Sequence, residues 1–303
     1  MSKSLRYKFI INPNAGRGKA RNIKVPLEDL LRSKNVEFDI AVTADALDAI
    51  ELAHASANEY DVIVAVGGDG TAHEVANGII GTKTALGVLP IGSGNDFANV
   101  VGMKANLDDS IGQLLANKQF TIDTGSVECH SSNGAVVHRR FINSVGIGFD
   151  AIVAYESQRI KHLKGIPLYL VAIFRSLRQL TSYRFSLTIG GKDRSGELTL
   201  VCIGNGNREG GGFFVTPGAK PDDGTFEVCT VQKVGLARAL RILPTILSGT
   251  HGKFKEVAFA NATDVTAQSM TPQTVHADGE IIGRDIVKTV VGMEGQSLLV
   301  VHG

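Results

Sequence analysis

The sequence is poor in three features that would each point to a particular class of protein. It has three cysteines in 303 residues with no C-x-x-C spacing, so neither a disulfide framework nor a zinc cage is predicted. Its formal net charge is +1, which argues against a surface built to hold nucleic acid. No apolar run approaches the ~20 residues of a membrane span, and the first apolar segment is too short for a signal peptide. We therefore expect a cytoplasmic protein without a nucleic-acid partner.

Two patterns of segments divide the chain near residue 120. With 303 residues, 43% of them hydrophobic, the chain is long enough for two cores. Residues 1–120 alternate strand-like and helix-like segments, which predicts a parallel sheet covered by helices. Residues 121–303 predict an antiparallel β-sandwich with two helices, near 167–180 and 236–247. The predicted class is α/β, with an N-terminal parallel-sheet domain and a C-terminal antiparallel β-sandwich domain. The last strand, 296–301, could return to the first domain.

The segment V-G-G-D-G-T-A-H-E-V (66–75) directly follows a run typical of a buried strand. A glycine-rich turn before a helix presents backbone N–H groups and the positive end of the helix dipole, which favour a phosphate. Gly67, Gly68 and Gly70 permit an approach that a side chain would block. Asp69 places a carboxylate beside that phosphate, which predicts Mg²⁺ coordination or acid–base work. The structural alternative is a tight turn in which Asp69 caps the following helix.

Two more glycine loops follow predicted strands, N-P-N-A-G-R-G-K (12–19) and L-P-I-G-S-G-N-D-F-A (89–98). Loops at the carboxyl ends of neighbouring parallel strands line one crevice, where ligands bind in open α/β sheets. Three such loops together predict a nucleotide cleft, so the N-terminal parallel-sheet domain is predicted to be a nucleotide-binding domain. The chain has neither G-x-x-x-x-G-K-[ST] nor a helix-opening G-x-G-x-x-G, which disfavours a P-loop and a simple dinucleotide fold.

Taken together, these motifs resemble the diacylglycerol kinase catalytic family, the soluble bacterial lipid kinases related to sphingosine and ceramide kinases. The first half carries N-P-x-x-G (12–16), G-G-D-G-T (67–71) and P-I-G-S-G-N-D-F-A (90–98). The second half continues in family order with N-S-V-G-I-G-F-D-A (143–151), G-N-G-N-R-E-G-G-G-F (204–213), P-G-A-K-P-D-D-G-T-F-E-V (217–228) and A-D-G-E (277–280). The resemblance implies an ATP- and Mg²⁺-dependent lipid kinase that phosphorylates the hydroxyl of diacylglycerol or a related lipid, giving a phospholipid such as phosphatidic acid.

The resemblance also implies a role for each matched position. The ATP contacts would be Asn12, Pro13, Asn14, Ala15, Gly16, Thr43, Gly67, Gly68, Asp69, Gly70, Thr71, Ala72, His73 and Ser93. A Mg²⁺ site would use the side chain of Asp223 with the backbone carbonyls of Lys220 and Thr225. Glu280 would be the proton acceptor, and Asp69 would lie by the triphosphate and its catalytic Mg²⁺. The sequence departs from the family at His73, where Asn is usual, and at Ser93, where Thr is usual.

The acidic turns of the second half can also be interpreted without the resemblance. Phosphoryl transfer needs a group that accepts the hydroxyl proton, and a carboxylate can do so if burial raises its pKa. Glu280 ends an apolar strand in H-A-D-G-E, which predicts its partial burial. However, D-G (278–279) and P-D-D-G (221–224) are also typical of solvated turns. None of the eight histidines forms an H-x-x-x-H pair, so they are interpreted as scattered surface or core residues.

A soluble lipid kinase must also meet its substrate at a membrane surface. Residues 159–178 are apolar in the middle, with Arg159, Lys161, Lys164, Arg175 and Arg178 at the two ends, which predicts peripheral contact with an anionic leaflet at the inner membrane face. The alternative is an ordinary helix packed inside the second domain. G-G-G-F-F (210–214) would line the acyl-chain cleft or turn between strands. A homodimer is compatible with the sequence.

Two other functions remain open at this point. An NAD kinase would share the G-G-D-G-T motif, although N-P-x-x-G and G-S-G-N-D-F-A favour a lipid kinase. A catalytically silent nucleotide- or lipid-binding regulator would keep the fold. Asp69, Asp223 and Glu280 are all present, which speaks against loss of activity, because a silent protein has no need of all three carboxylates.

Overall fold

The structure is a computed structural model that describes residues 5–160 and 162–303. The chain divides into two compact units: unit 1 is Met1–Ile122 with Gln296–Gly303, and unit 2 is Asp123–Gly295. The α-helices are α1 (Ala15–Gly18), α2 (Lys24–Ser33), α3 (Asp48–Ser56), α4 (Asp69–Ile79), α5 (Asp96–Val100), α6 (Leu107–Ala116), α7 (Phe149–Arg159), α8 (Gly165–Ser176) and α9 (Leu236–Ile246). The strands are β1 (Arg6–Ile11), β2 (Glu37–Val42), β3 (Val62–Gly67), β4 (Ala85–Pro90), β5 (Gln119–Ser131), β6 (Val136–Phe141), β7 (Ser144–Gly148), β8 (Tyr183–Ile189), β9 (Lys192–Asp193), β10 (Gly196–Gly204), β11 (Phe226–Gln232), β12 (Val257–Ala262), β13 (Asp264–Ala277) and β14 (Glu280–Val301). Short 3₁₀ helices span Lys19–Asn22, Leu177–Gln179 and His251–Lys253.

Unit 1 is built on strands that run parallel to one another. β1 pairs in parallel with β2 on one side and with β3 on the other, and β3 pairs in parallel with β4. The end of β14 adds to the same sheet, because Val300 pairs in parallel with Leu86 of β4. Every residue of β3 and β4 is buried, as expected for central parallel strands whose two faces are both covered by helices.

The helices of unit 1 cover this sheet with apolar faces. On α2, Leu27 and Leu31 are fully buried, and their spacing of four residues places them on one face of the helix. Helices α3 and α4 approach closely at Gly78, where a Cβ would lie 2.6 Å from the carbonyl oxygen of Ile50. A side chain at Gly78 would therefore push these two helices apart.

Unit 2 is built on antiparallel strands. β10 pairs with β7 and β11, β11 pairs with β12, and β13 pairs with β7 and β14. β8 pairs with β9, β10 and β13, while β5 pairs with β6. One apolar cluster lies among these strands and includes Phe141, Leu187 and Phe226. A second cluster joins the strands to the helices, with Ile173 of α8 and Ile242 of α9 packed against Cys202 and Cys229.

Part of unit 2 differs from the sequence prediction. The described part of unit 2 contains three α-helices, whereas the sequence predicted two. The helix that was not predicted is α7, which begins directly after β7. Gly148, with φ +80°, makes this strand-to-helix corner without a run of turn residues. The residues of β12 and the first part of β14 were likewise not predicted as strands. No helix in the described residues is both long and apolar enough to cross a bilayer.

Candidate active site

The four parallel strands of unit 1 end at the same level. In the observed register Ile11 lies beside Val42 and Val66, and Gly67 lies beside Pro90. The three glycine loops therefore leave the sheet at one edge, together with the residue that follows β2. That residue is Thr43, which is buried and donates its backbone N–H to the carbonyl of Ile11 at 2.9 Å. The sheet thus brings all the predicted ATP-contacting segments to one edge of unit 1.

Asn12 ties the first loop to the second. Its backbone N–H donates to the carbonyl of Val66 at 3.1 Å, and its side-chain Nδ2 donates to Thr71 Oγ1 at 3.2 Å. Its Oδ1 accepts the backbone N–H of Asn14 at 3.0 Å, and its carbonyl accepts that of Ala15 at 3.0 Å. One asparagine therefore fixes the turn containing Pro13 and holds that turn against the start of α4.

The glycine backbones themselves form the contacts with the third loop. The carbonyl of Gly67 accepts the backbone N–H groups of Ile91 at 2.8 Å and of Gly92 at 3.1 Å. A Cβ on Gly92 would lie 2.4 Å from the Cα of Gly68, and a Cβ on Gly16 would lie 2.1 Å from the carbonyl oxygen of Ile91. These distances are too short for any side chain, so Gly92 and Gly16 are needed for loop-to-loop packing.

Asp69 does not cap the helix that follows it, which was the structural alternative for this residue. Helix α4 begins at Asp69 itself rather than near Ala72, with Gly68 at the N-cap position. The Asp69 carboxylate instead caps α5: Oδ2 accepts the backbone N–H of Asn95 at 2.8 Å, and Oδ1 accepts that of Phe97 at 3.0 Å. The carboxylate is thereby fixed between the second and third glycine loops.

The remaining ATP-contact candidates lie in the same loops but differ in exposure. Gly70 and Ser93 are partly exposed, whereas Thr71, Ala72 and His73 are buried in the first turns of α4. The carbonyl of His73 accepts the side-chain N–H of Asn77, four residues later in α4, at 2.8 Å. The contact of Ala72 and His73 with ATP therefore stays a prediction, with little side-chain surface to support it.

The predicted metal residues form one turn of unit 2, just before β11. Asp223 is exposed, and its Oδ1 accepts the backbone N–H of Thr225 at 3.1 Å and the Thr225 hydroxyl at 3.0 Å. A second carboxylate that sequence reasoning missed lies against this turn: Asp123 Oδ2 accepts the backbone N–H of Gly224 at 2.8 Å. Burial raises the pKa of Asp123, the Gly224 hydrogen bond opposes this, and the charges of Asp223 and Asp222 raise it further.

A signal for Asp123 was present in the sequence. In T-I-D-T-G-S-V-E-C (121–129), every second residue lies on the same face of the strand. Asp123 shares that face with Gly125, Val127 and Cys129, all of which are buried. An acidic residue at an inward position of a strand is rare unless it is paired or functional. The pattern therefore marks Asp123 as an acid with a specific role.

Glu280 lies at the tip of the hairpin between β13 and β14. Ala277 pairs with Glu280 across the two-residue turn Asp278–Gly279, and both turn residues are left-handed, with φ +49° and +82°. The expected partial burial of Glu280 is wrong: its side chain is exposed, because the first residue of β14 points away from the core. The buried acid is Asp278, whose carboxylate accepts the backbone N–H groups of Ile142, Asn143 and Ser144 at 2.8–3.0 Å.

Two domain families match the chain. The diacylglycerol kinase catalytic domain matches residues 6–127, which include all three glycine loops. The YegS C-terminal NAD kinase beta sandwich-like domain matches residues 143–300, in agreement with the antiparallel second half. The resemblance carried by the sequence motifs is thereby confirmed.

Named relatives point the same way. A diacylglycerol kinase from Mycobacterium tuberculosis H37Rv is 30% identical over 276 residues, covering 89% of this chain and 87% of its own length. A diacylglycerol kinase from Staphylococcus epidermidis is 29% identical over 283 residues, with coverages of 92% and 87%. The similarity therefore extends over both units.

Solved structures share the fold. The crystal structure of a diacylglycerol kinase from Bacillus anthracis aligns with a TM-score of 0.76 at 20% identity, covering 100% of this chain and 98% of the other. Yeast NADH kinase complexed with NADH aligns with a TM-score of 0.56 at 9% identity, with coverages of 100% and 84%. At these identities the likeness shows the fold alone.

Proposed function

The chain belongs to the diacylglycerol kinase family, and on that premise we propose that it transfers the γ-phosphate of ATP, with Mg²⁺, to the hydroxyl of diacylglycerol or a related lipid. The product would be phosphatidic acid or the corresponding phospholipid. The observation that carries the proposal is the junction of three glycine loops at one edge of the parallel sheet. Gly67 accepts two backbone N–H groups there from the loop that follows β4.

ATP binding is assigned to this edge of unit 1. Helix N-termini and closely spaced backbone N–H groups favour polyphosphates, and α4 begins in the G-G-D-G-T loop. The assigned contacts are Asn12–Gly16, Thr43, the loop 67–73 and Ser93. Asp69, held in place by its two backbone hydrogen bonds, is assigned a place beside the triphosphate and its Mg²⁺.

A second Mg²⁺ position is assigned to the turn before β11. Its donors are the Asp223 carboxylate and the backbone carbonyls of Lys220 and Thr225, all hard oxygen ligands of the kind that Mg²⁺ prefers. The fit is supported by Asp123, because its carboxylate lies against the same turn and its pKa is raised in part by Asp223 and Asp222. A divalent cation would relieve this repulsion between carboxylates.

Glu280 is assigned as the group that accepts the proton of the lipid hydroxyl. Its carboxylate is exposed at a rigid hairpin tip, so a lipid hydroxyl has access to it. Phosphoryl transfer depends mainly on positioning and charge, with a carboxylate taking the hydroxyl proton as the oxygen attacks phosphorus. This assignment rests on the family motif A-D-G-E (277–280) and on access, since burial does not contribute.

The lipid is assigned to an anionic bilayer surface that contacts α8. Leu168, Ala172 and Ile173 of this helix are buried. Ile166, Leu170 and Phe174, spaced four residues apart, form an exposed apolar stripe along the helix. One face of α8 therefore packs inside unit 2, and the other is open to solvent, where a membrane surface has access to it.

The charge around α8 fits an anionic partner. The sequence contains no acidic residue between Glu156 and Asp193. Arg175 and Arg178 are exposed beyond the apolar stripe. Arg159 lies before it and forms an ion pair with Glu156 at 3.0 Å, and Lys161 lies outside the described residues. Each basic residue near an anionic leaflet adds about 1 kcal/mol to binding.

The three cysteines, all free and buried, are consistent with a reducing compartment.

The test of the function is a transfer assay with the purified full chain, Mg²⁺ and γ-labelled ATP. Diacylglycerol, sphingoid base, ceramide and NAD are offered as separate acceptors. We expect label in an organic-extractable product with at least one lipid. Label on NAD would establish an NAD kinase instead, and ATP binding without transfer to any acceptor would establish a silent regulator.

A further inference from the structure

Three ionisable side chains of unit 2 meet next to the turn between β13 and β14 that directly precedes Glu280. Asp150 comes from the first turn of α7, Glu209 from the loop after β10, and His276 from β13. One ligand atom from each lies within 4.8 Å of the other two. Gly146 makes room for them, because a Cβ there would lie 2.1 Å from Asp150 Oδ2 and 2.3 Å from His276 Nε2.

A divalent metal is the first ligand to consider for such a group, but the hydrogen bonds of His276 argue against it. The backbone N–H of Gly279 donates to His276 Nδ1 at 3.2 Å, so Nδ1 must hold a lone pair. In the neutral ring the proton is then on Nε2, which donates to Asp150 Oδ2 at 3.1 Å. A metal bound at Nε2 would need the opposite tautomer, with Nδ1–H as a donor.

The same hydrogen bonds form a continuous chain that ends at the hairpin turn. Asp150 accepts from His276, and His276 accepts from Gly279, the residue directly before Glu280. The other turn residue, Asp278, is held separately by the backbone N–H groups of residues 142–144. The turn is therefore fixed at both of its residues. Gly279, directly before Glu280, is held twice: its N–H donates to His276 Nδ1, and its carbonyl accepts from Gln158 Nε2 at 3.0 Å.

We propose that His276, oriented by Asp150, is a positioning residue for Glu280, with its Nδ1 lone pair holding the Gly279 N–H and so setting the direction in which the start of β14 is presented. The inference rests on the proposed role of Glu280 as proton acceptor. It assigns His276 no contact with substrate, ATP or metal.

Protonation of His276 would break this contact. The groups that act on its ring are Asp150 from α7, Glu209 from the loop after β10, and Asp278 from the turn. Burial lowers the pKa of His276, but the hydrogen bond and charge of Asp150, with the charges of Glu209 and Asp278, outweigh it and raise the pKa above its ordinary 6.5. As the pH falls through this raised pKa, Nδ1 gains a proton and can no longer accept from Gly279.

Two substitutions of His276 separate its two nitrogens. In H276N the Asn Oδ1 lies where Nδ1 was and still accepts from Gly279; in H276Q the Gln Nε2 replaces the Nε2 donor to Asp150, and the Gly279 acceptor is lost. We expect kcat to fall by about tenfold or more in H276Q and by clearly less in H276N, with KM for ATP unchanged in both, because small misplacements of a reacting group are costly. Equal kcat in the two variants would overturn the proposal.

A second measurement does not depend on activity. In the ¹⁵N-labelled full chain, the Gly279 amide resonance should shift with pH at the midpoint of His276, and D150N should move that midpoint to lower pH because the stabilising charge is lost. In H276N the Gly279 shift should not titrate. A Gly279 resonance that is insensitive to pH in the wild type would overturn the inference. A Gly279 titration in a wild type that transfers phosphate to no lipid would instead refute the proposed function alone.

Discussion

The carboxylate of Asp69 holds the backbone of Phe97, accepting its N–H at 3.0 Å. This bond joins the loop after β3 to the helix after β4, so the acid assigned to the triphosphate also closes the edge of the sheet where the triphosphate is proposed to bind. Asp69 therefore carries a structural contribution, and its proposed chemical role must be measured separately from that contribution.

For D69N we expect a loss of kcat of at least about 100-fold together with a loss of roughly 1–2 kcal/mol in the free energy of unfolding. The stability loss follows because an amide NH₂ would face either Asn95 or Phe97, both of which donate. Turnover of the folded protein gives kcat, and urea unfolding gives the free energy of unfolding. If folded D69N transfers phosphate at the wild-type rate, Asp69 is a helix cap and nothing more.

For E280Q we expect kcat to fall by about 100-fold or more, with the melting temperature unchanged. Stability is expected to hold because the Glu280 side chain is exposed. The matched control is E51Q, an exposed glutamate on α3 of unit 1, which should keep the wild-type rate. A near-normal rate in E280Q would mean that another group takes the hydroxyl proton.

Two glycine-to-alanine variants test the junction of the loops. G92A places a Cβ 2.4 Å from the Cα of Gly68, so we expect ATP affinity to fall by about tenfold or more and the melting temperature to drop. G112A on α6 meets no atom within 4 Å and should leave ATP binding unchanged, with a small gain in stability of about 0.5–1 kcal/mol. Calorimetric titration of ATP into both variants measures the difference. Wild-type affinity in G92A would show that the packing of these two loops is not required for binding.

Glu209 should make stability depend on pH. Burial, aided by the charge of Asp150, raises its pKa from 4.5 to about 7 in the folded protein. Between these values the folded state binds the proton more tightly than the unfolded chain, so the free energy of unfolding falls as the pH rises from 4.5 to 7 and levels off above. In E209Q this contribution is absent. As the pH rises from 4.5 to 7, the free energy of unfolding of the wild type should therefore fall relative to that of E209Q by up to roughly 3 kcal/mol. Urea unfolding at several pH values measures it, and a constant difference would contradict the assignment.

The exposed stripe on α8 should control binding to membranes. Phe174 is 63% exposed, and burying such a side chain in a bilayer is worth about 1.5–3 kcal/mol, so F174E should weaken binding to anionic vesicles by about tenfold or more. V25E alters an exposed residue of α2 in unit 1 and serves as the control. Sedimentation with vesicles containing phosphatidylglycerol measures the partition. Equal binding of F174E and V25E would remove α8 from the membrane-contacting surface.

Much of unit 1 followed directly from the sequence. The strand A-L-G-V-L-P was predicted with the bounds it has in the structure, Ala85–Pro90, because an unbroken apolar run between turn residues leaves little choice. Helix α7 was missed because no run of turn residues marks its start. It follows β7 directly at Gly148, so the local composition does not show where the strand ends and the helix begins. The exposure of Glu280 was also missed, because an apolar strand does not tell which side its end residue faces.

The sequence alone determined the family, the order of the glycine loops after their strands, and the residue types that phosphoryl transfer needs, since these depend on local spacing and motif identity. Tertiary structure decided which groups meet. It placed Asp123 against the Asp223 turn, made Asp69 the cap of α5, and linked Asp150 through His276 to Gly279. Apart from the local bond between His276 and Gly279, these contacts join residues that are 28 to 126 positions apart in the chain, and no local pattern encodes them because they arise only when strands and helices pack.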